Sequence, residues 1–370
     1  MKKICFITTV NHNVGDDFVR EGIIYLLTQK FKNTKLNFEL IHKHSPITTR
    51  HGFEWFRNYR LSKYVDRCLP LSITKDRVLD ADILVQSGAP VYWCHPETNG
   101  PHCYGNEWFK PLIKRRYLKT ILKTPFLNLA AGTCQRYDSD GSEFDSCTSC
   151  QDYIKELQDL TKVTTVRDKL AKKVLNNMGI DASVIPCSSI FAREMNGVEP
   201  ENPEYVALNY MRGGAHYIFG QKIEHEKWEN NFKLFYKKIS KLETCVFVCH
   251  NQDEVNNIKK INSNANIFIS HDYKDYIKFY SKAKFGIMNR VHGAFLIASF
   301  GRPAVLIGND SRVKMSEEIG LPHAFVNNAD FDWLLQQYEY LKHGGDTYLE
   351  RFNMIKQKAY NNYQEALSVL

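Results

Sequence analysis

The sequence has no run of about 18 apolar residues, which excludes a membrane-spanning helix from its reading. It has no low-complexity tract, and no long polar segment of the kind that stays disordered. No pattern of a DNA- or RNA-binding module occurs, so nucleic acid is not an expected partner. The opening MKKICFITTVNHN carries two lysines but only a short apolar run, with no small-residue cleavage site behind it. It therefore reads as a first β-strand, and a cytoplasmic protein is expected. Thiols stay reduced there, so the 10 cysteines are not expected to form a disulfide framework. Acidic residues are missing locally. His42 to Tyr64 holds Lys43, Arg50, Arg57, Arg60 and Lys63 among Trp55, Phe56, Tyr59 and Tyr64, with Glu54 as its single acid. Lys110 to Lys123 holds six basic residues and no acid, and Ile113, Tyr117 and Ile121 share one helical face. Such a helix suits either a solvated surface or peripheral contact with anionic lipid, where each basic residue contributes roughly 1 kcal/mol.

What is present is an alternation of short apolar runs with helical periodicity, over a length that holds two domains of ordinary size. The fold class is accordingly α/β, and a repeat is visible in architecture though not in sequence. In the first half, strands are expected at Ile4–Val10, Leu36–Ile41, Asp82–Ser87, Pro125–Ala131, Val163–Val166 and Ser183–Ile185. In the second half they are expected at Tyr205–Met211, Cys245–His250, Asn266–Ser270, Phe285–Met288 and Ala304–Gly308. Gly197, Pro200 and Pro203 mark a linker, which divides the chain into domains at 1–195 and 204–330. Residues 331–370 read as C-terminal helices, the last packing back across the linker. The net charge of +8 favours anionic ligands or surfaces, and 22 Phe, 20 Tyr and 5 Trp suit a packed core or a carbohydrate site.

The densest chemical signal is Ala283 to Asp310, AKFGIMNRVHGAFLIASFGRPAVLIGND. It reads as a buried strand, a short helix of small and apolar residues from Gly293 to Phe300, a stop at Gly301 and Pro303, and a second buried strand. Arg290 and His292 fall where the first strand gives way to the helix. That edge of a parallel sheet favours an anion, because free N–H groups and the helix dipole converge there. An arginine there supplies a fork for phosphate or carboxylate, and a histidine moves a proton near neutral pH. At the first strand–helix junction, Asn11 to Gly15 form a loop and Asp16 or Asp17 is expected to cap the helix. Ser87-Gly88-Ala89 and Ala131-Gly132-Thr133 end two strands in small residues, which permits close approach of backbone to a ligand.

Arg290-Val291-His292, then Gly301-Arg302-Pro303 and AVLIG, with Asn13-Val14-Gly15-Asp16-Asp17 and Val166-Arg167-Asp168 earlier in the chain, resemble the ordered motifs of the polysaccharide pyruvyl transferase family. The resemblance spans residues 3 to 321 or so, and departs from the family in lacking a glycine run around Gly88. It implies two Rossmann-like domains facing a cleft, as in GT-B enzymes, with acceptor on the N-terminal side and donor anion on the C-terminal side. The implied reaction moves pyruvate from phosphoenolpyruvate to a sugar as a cyclic ketal, with a polysaccharide or lipid-linked saccharide as acceptor and no cofactor required. On this reading His292 serves as acid or base and Asp16 or Asp17 takes the opposite role. Arg290, Arg167, Arg312 and Lys314 bind the donor, and Gly15, Gly88, Gly132 and Gly293 bring backbone close to ligand. A GT-B glycosyltransferase using a nucleotide sugar, or a saccharide- or lipid-binding protein without catalysis, are the alternative readings.

The cysteines divide into two sets. Cys5, Cys68, Cys187, Cys245 and Cys249 lie in or beside apolar runs and read as core. Cys94, His95, His102, Cys103, Cys134, Cys147 and Cys150 crowd two loops instead. Cys147-x-x-Cys150 has zinc-ligand spacing, and Cys134 with Cys94 or Cys103 would complete a tetrahedral set. The expectation is nevertheless no metal, with zinc on Cys134, Cys147 and Cys150 as the lesser alternative. Adjacency in sequence, as at Cys94-His95 and His102-Cys103, does not fix a histidine against any one of these thiols in space, so thiol catalysis is not expected.

Overall fold

Short buried runs with little polar alternation build the strands, as parallel sheets covered on both faces require. The structure is a computed structural model and describes residues 1–10, 13–43, 49, 80–87, 90–95, 109 and 124–370. They fall into two units: Met1–Thr133, Gly141–Ile185 and Asn362–Leu370 form the first, Cys134–Asp140 and Pro186–Asn361 the second. The basic stretch of residues 110–123, Gly88, Cys68, His102, Cys103 and most of the stretch from His42 to Tyr64 lie outside the described residues. Among the described residues no helix is long and apolar enough to cross a membrane.

In the first unit the strands are β1 (Lys2–Thr8), β2 (Leu36–His42), β3 (Ile83–Gln86), β4 (Pro90–Tyr92), β5 (Phe126–Thr133), β6 (Val163–Val166) and β7 (Ser183–Val184). They pair in parallel in the order β2-β1-β3-β5-β6-β7, and β4 lies against the end of β5. Strand order reverses between β1 and β3, which makes that gap the unit's topological switch point. Helix α1 (Val14–Lys30) leaves β1 there, and α2 (Thr148–Leu160) and α3 (Lys169–Asn177) flank β5 and β6 in sequence. The cap of α1 is Asn13, whose Oδ1 accepts from Gly15 N at 3.3 Å. This corrects the expectation for Asp16 and Asp17, which sit inside the first turn, where acidic side chains favour the helix dipole without capping it.

The second unit holds β8 (Tyr205–Leu208), β9 (Cys245–Val248), β10 (Ile267–Phe268), β11 (Ala283–Met288), β12 (Ala304–Gly308) and β13 (His323–Phe325). All pair in parallel in the order β10-β9-β8-β11-β12-β13, the doubly wound arrangement of dinucleotide-binding folds. Its helices are α4 (His225–Ile239), α5 (Gln252–Ile261), α6 (Tyr273–Ser281), α7 (Val291–Ser299), α8 (Phe331–His343) and α9 (Gly345–Ala366). Helix α7 is apolar all round, and every residue from Gly293 to Ser299 is buried. Gly301 ends it with φ of +77°, its N–H bonded to Ala298 O at 2.8 Å, while Arg302 N reaches Ile297 O at 3.3 Å. A glycine is suited to that left-handed turn because it has no Cβ to strain there.

The division between units falls at Ile185–Pro186, ahead of the Gly- and Pro-marked stretch. That stretch is tied into the second unit: Glu201 N and Glu204 N bond Ser281 O and Lys282 O, and Arg302 donates to Ser281 O, Ala283 O and Glu201 O. Glycine and proline there shape a bound segment. The last helix is shared, with residues from Asn362 onward belonging to the first unit, where Gln364 Nε2 donates to Leu26 O at 3.1 Å.

Candidate functional site

The switch point of the second unit lies between β8 and β11, and polar side chains fill the positions just beyond both strands. Asn209 follows β8; its Oδ1 accepts from Arg290 N at 2.9 Å and its Nδ2 donates to Val248 O at 2.8 Å. Asn289 follows β11, accepting from Met211 N at 2.7 Å and donating to Ile307 O at 2.6 Å. These two asparagines tie together the ends of β8, β9, β11 and β12. The chain therefore arrives at Arg290 with its direction fixed.

Arg290 is 9% exposed and its guanidinium is already engaged. Nε donates to Glu254 Oε1 at 3.0 Å, Nη2 donates to the same oxygen, and Nη1 faces His216 Nε2. Glu254, in the first turn of α5, is saturated: Oε2 accepts from Asn209 Nδ2 and His250 N, each at 3.0 Å, and Oε1 also accepts from Asn251 Nδ2 at 3.2 Å. Such satisfaction is what a buried ion pair needs if its desolvation is to be offset. The expected free fork for a donor anion is corrected accordingly. One edge of the guanidinium is held by Glu254, and Nη1 is the side that faces a histidine.

His292 is half-buried in the first turn of α7, behind Arg290 at the cap position, which makes no side-chain capping hydrogen bond. The helix N-terminus keeps its dipole for an anion. His250 completes the group with Nε2 3.5 Å from Tyr280 Oη. Burial, then the charges of Arg290, His216 and His292, hold its imidazole well below the usual histidine range, so it is neutral near pH 7. Gly293 is needed for packing: a Cβ there would come within 2.6 Å of both Met288 Cε and Tyr280 Oη. The missing Cβ lets α7 close on α6 and β11.

Arg312 and Lys314 follow β12, in the 3₁₀ segment Ser311–Ile319. Arg312 forks onto Asp310, with Nε to Oδ1 at 2.9 Å and Nη2 to Oδ2 at 2.6 Å. The Lys314 ammonium lies over the Tyr137 ring, 4.8 Å from its centre. An aspartate already answers the Arg312 fork, so its expected part in neutralising phosphate is withdrawn.

The first unit gathers a second set of buried charges at its own switch point. Asp16 (3% exposed) accepts from Thr9 Oγ1 at 2.6 Å. Asp17 (2% exposed) pairs with Arg20, which also donates to Thr9 O and Glu21 Oε1. Burial pushes the Asp17 carboxyl up from 3.8 to about 6, although Arg20 draws it down. Two strands away from that switch point, Arg167 and Asp168 follow β6. Asp168 caps α3, accepting from Ala171 N at 2.7 Å and from Thr133 N and Oγ1, each at 2.9 Å. Gly132 makes room for them, since a Cβ would stand 2.5 Å from Arg167 Nε and 2.8 Å from Asp168 Oδ2. Gly132 thus leaves room for the Arg167 and Asp168 side chains, and the Gly15 N–H is taken by Asn13.

Glu254, His216, His250, Asn209 and Asn289 were not expected from sequence. Asn251-x-x-Glu254 has the spacing of a helix cap, and Asn251 Oδ1 does accept from Glu254 N at 2.9 Å. That pattern accounts for the backbone of Glu254 and conceals its side-chain partner 36 residues away. Of the cysteines read as core, Cys5, Cys187, Cys245 and Cys249 are buried. Cys94, not Cys134, joins Cys147 and Cys150 in a group of converging sulfurs, and Cys134 belongs to the second unit.

Against known structures the chain is similar over nearly its whole length to sugar-nucleotide enzymes. It covers 100% of its own length and 98% of Staphylococcus aureus MnaA in complex with UDP, at 13% identity and a TM-score of 0.55. For UDP-GlcNAc 2-epimerase of Neisseria meningitidis bound to UDP-GlcNAc the figures are 99% of each chain, 11% identity and 0.54. For Anabaena Alr3699/HepE in complex with UDP and glucose they are 100% of each chain, 10% and 0.54. At such identities the likeness establishes the fold, which is GT-B-like, with two Rossmann-like units. A search against curated proteins found no match. The profile of one family, polysaccharide pyruvyl transferase, matches residues 13–311. That span takes in α1 and the second unit's switch point, and the chain belongs to the polysaccharide pyruvyl transferase family of transferases.

Proposed function

We propose that the protein transfers pyruvate from phosphoenolpyruvate to two hydroxyls of one sugar, forming a cyclic ketal and releasing phosphate. The observation that carries this reading is the second unit's switch point: an uncapped helix N-terminus beside a pinned arginine and three histidines, within a chain of this family. The donor brings a phosphate and a carboxylate. The start of α7 offers one anion site, and the Nη1 side of Arg290 lies next to it.

In the reaction a proton adds to the methylene carbon, and the central carbon, now electron-poor, takes the oxygen of a sugar hydroxyl, which gives up its proton. A second hydroxyl then displaces phosphate at that carbon, and its proton leaves with the phosphate. His292 is assigned the proton transfer at the donor, being the histidine placed in the helix turn that holds the anion. His250, kept neutral, preserves a hydrogen-bonding surface without adding charge. Incubation with phosphoenolpyruvate and a sugar acceptor, followed by phosphate assay and mass analysis of the acceptor, tests this. Release of nucleotide from a sugar nucleotide, with none of phosphate from phosphoenolpyruvate, would instead select a glycosyltransferase.

Asp17 is the group in the first unit suited to accept a hydroxyl proton near neutral pH. If it does so, kcat/KM rises with pH through about 6, and Asp17→Asn lowers the plateau and removes that limb. The stability linkage has the opposite sense. The folded state holds this proton more tightly than the unfolded chain, so the stabilisation is present below pH 3.8 and fades as pH climbs through about 6. A wild-type limb near pH 6 that persists in Asp17→Asn would assign it to another group.

We extend the reading to a saccharide acceptor presented at an anionic membrane surface, on the basic composition of residues 110–123. Charge reversal at Lys114, Arg115 and Arg116 is expected to weaken sedimentation with vesicles containing anionic lipid while sparing turnover of a short soluble acceptor. Unchanged sedimentation would remove the membrane contact.

A further inference from the structure

We propose that Cys94, Cys147 and Cys150 form a structural zinc site in the first unit. The three Sγ atoms lie within 4.8 Å of one another, although Cys94 is 53 residues before Cys147 in sequence. Around a tetrahedral zinc with Zn–S bonds of about 2.3 Å, sulfurs stand about 3.8 Å apart, so small side-chain movements close the set. Cys94 lies two residues after β4, and the pairing of β4 with the end of β5 fixes its place. Cys147 is the cap residue of α2 and makes no side-chain capping bond. Cys150 lies one turn on, its N–H donating to Cys147 O at 3.0 Å.

The surroundings suit thiolates bound to a cation better than three neutral thiols. The N-terminus of a 13-residue helix points its dipole at Cys147 and Cys150, which favours negative sulfur there. Cys94 and Cys150 are fully buried among Tyr92, Phe144 and Tyr153, where uncompensated thiolates would be costly. The thiol of Cys94 donates to Glu143 O at 3.6 Å and that of Cys150 to Trp93 O at 4.0 Å, the second a long contact even for sulfur. Binding would exchange these contacts for metal–sulfur bonds and release the thiol protons. A disulfide between Cys147 and Cys150 is the competing chemistry, but it would engage two of three converging sulfurs and leave Cys94 without a role. Cys147 is partly exposed, and the fourth position is left for water or another ligand. Two fully buried sulfurs place the metal in a structural role, joining the end of β4 to the start of α2.

Protein purified under reducing conditions, without added metal, is expected to carry about one zinc per chain by elemental analysis. Cys147→Ser and Cys150→Ser should each lower the content at least severalfold, and Cys134→Ser should leave it unchanged. Exchange with cobalt in the wild-type chain should produce thiolate-to-cobalt charge-transfer absorption, and removal of zinc by chelator should lower the melting temperature. These two readouts need no variant to fold. Wild-type protein that is folded, holds no zinc and takes up neither zinc nor cobalt would overturn the site. So would zinc content unaffected in a folded Cys150→Ser protein, or a Cys147–Cys150 disulfide as the main species in freshly alkylated protein.

Discussion

Substituting His292 by asparagine is expected to lower kcat by roughly 10²–10⁴-fold while leaving the apparent KM for phosphoenolpyruvate nearly unchanged. Asparagine keeps a hydrogen-bonding side chain in the first turn of α7, so the proposed anion site at the helix N-terminus should survive. What is lost is a group able to give and take a proton near pH 7. A role limited to bracing the strand–helix turn predicts something different: a lower melting temperature, with binding and turnover falling together. His292 is half-buried, and the turn itself is also held by Asn209 on Arg290 N and by Asn289 on Met211 N and Ile307 O, so the melting temperature separates bracing from catalysis. The measurement is kcat, KM and melting temperature on the same preparation. Turnover close to wild type in well-folded His292→Asn protein would take His292 out of the mechanism and leave the neutral His250 or His216 as the candidates.

The sheets were legible in the sequence because both faces are buried and the strands are nearly continuous apolar runs. Ala304–Gly308 was placed to the residue for this reason. β4 and β13, of three residues each, carry too few positions for a pattern to emerge. Expected strands overran at Asn209 to Met211 and at Cys249 to His250, and those overruns are informative. Apolar and polar residues continue there without a break, but the ladder stops because Asn209 binds Val248 O and Arg290 N with its side chain. Arg290 and His292 were visible as a local motif at a strand end. Glu254 and His216 were not, since the contacts that bring them to Arg290 join segments 36 and 74 residues away. Charge type is readable from sequence, whereas the partner that consumes a charge is set by the fold. Arg312 shows the same thing at short range, because its fork closes on Asp310 two residues before it.

Removing the carboxylate beneath Arg290 is expected to have the largest effect on stability of any single change in the second unit's site. Glu254→Gln keeps an oxygen for Asn209 and His250 N but places a neutral amide against a buried guanidinium, whose Nε and Nη2 then lose their counter-charge. Breaking a buried pair in this way costs roughly 3–5 kcal/mol. At about 2–4 °C per kcal/mol for a unit of this size, the melting temperature should drop by about 6–20 °C. Arg290→Lys should be milder for stability, since an ammonium still reaches Glu254. It cannot hold the carboxylate and present a second nitrogen toward His216 at once, so the apparent KM for phosphoenolpyruvate should rise sharply. The double variant Glu254→Gln/Arg290→Met separates the two roles. With both charges gone the desolvation cost goes too, and melting should recover most of the way to wild type while transfer is lost with the arginine. A Glu254→Gln protein as stable as wild type would show that the pair does not pin the arginine. A double variant that turns over normally would show that Arg290 has no part in donor binding.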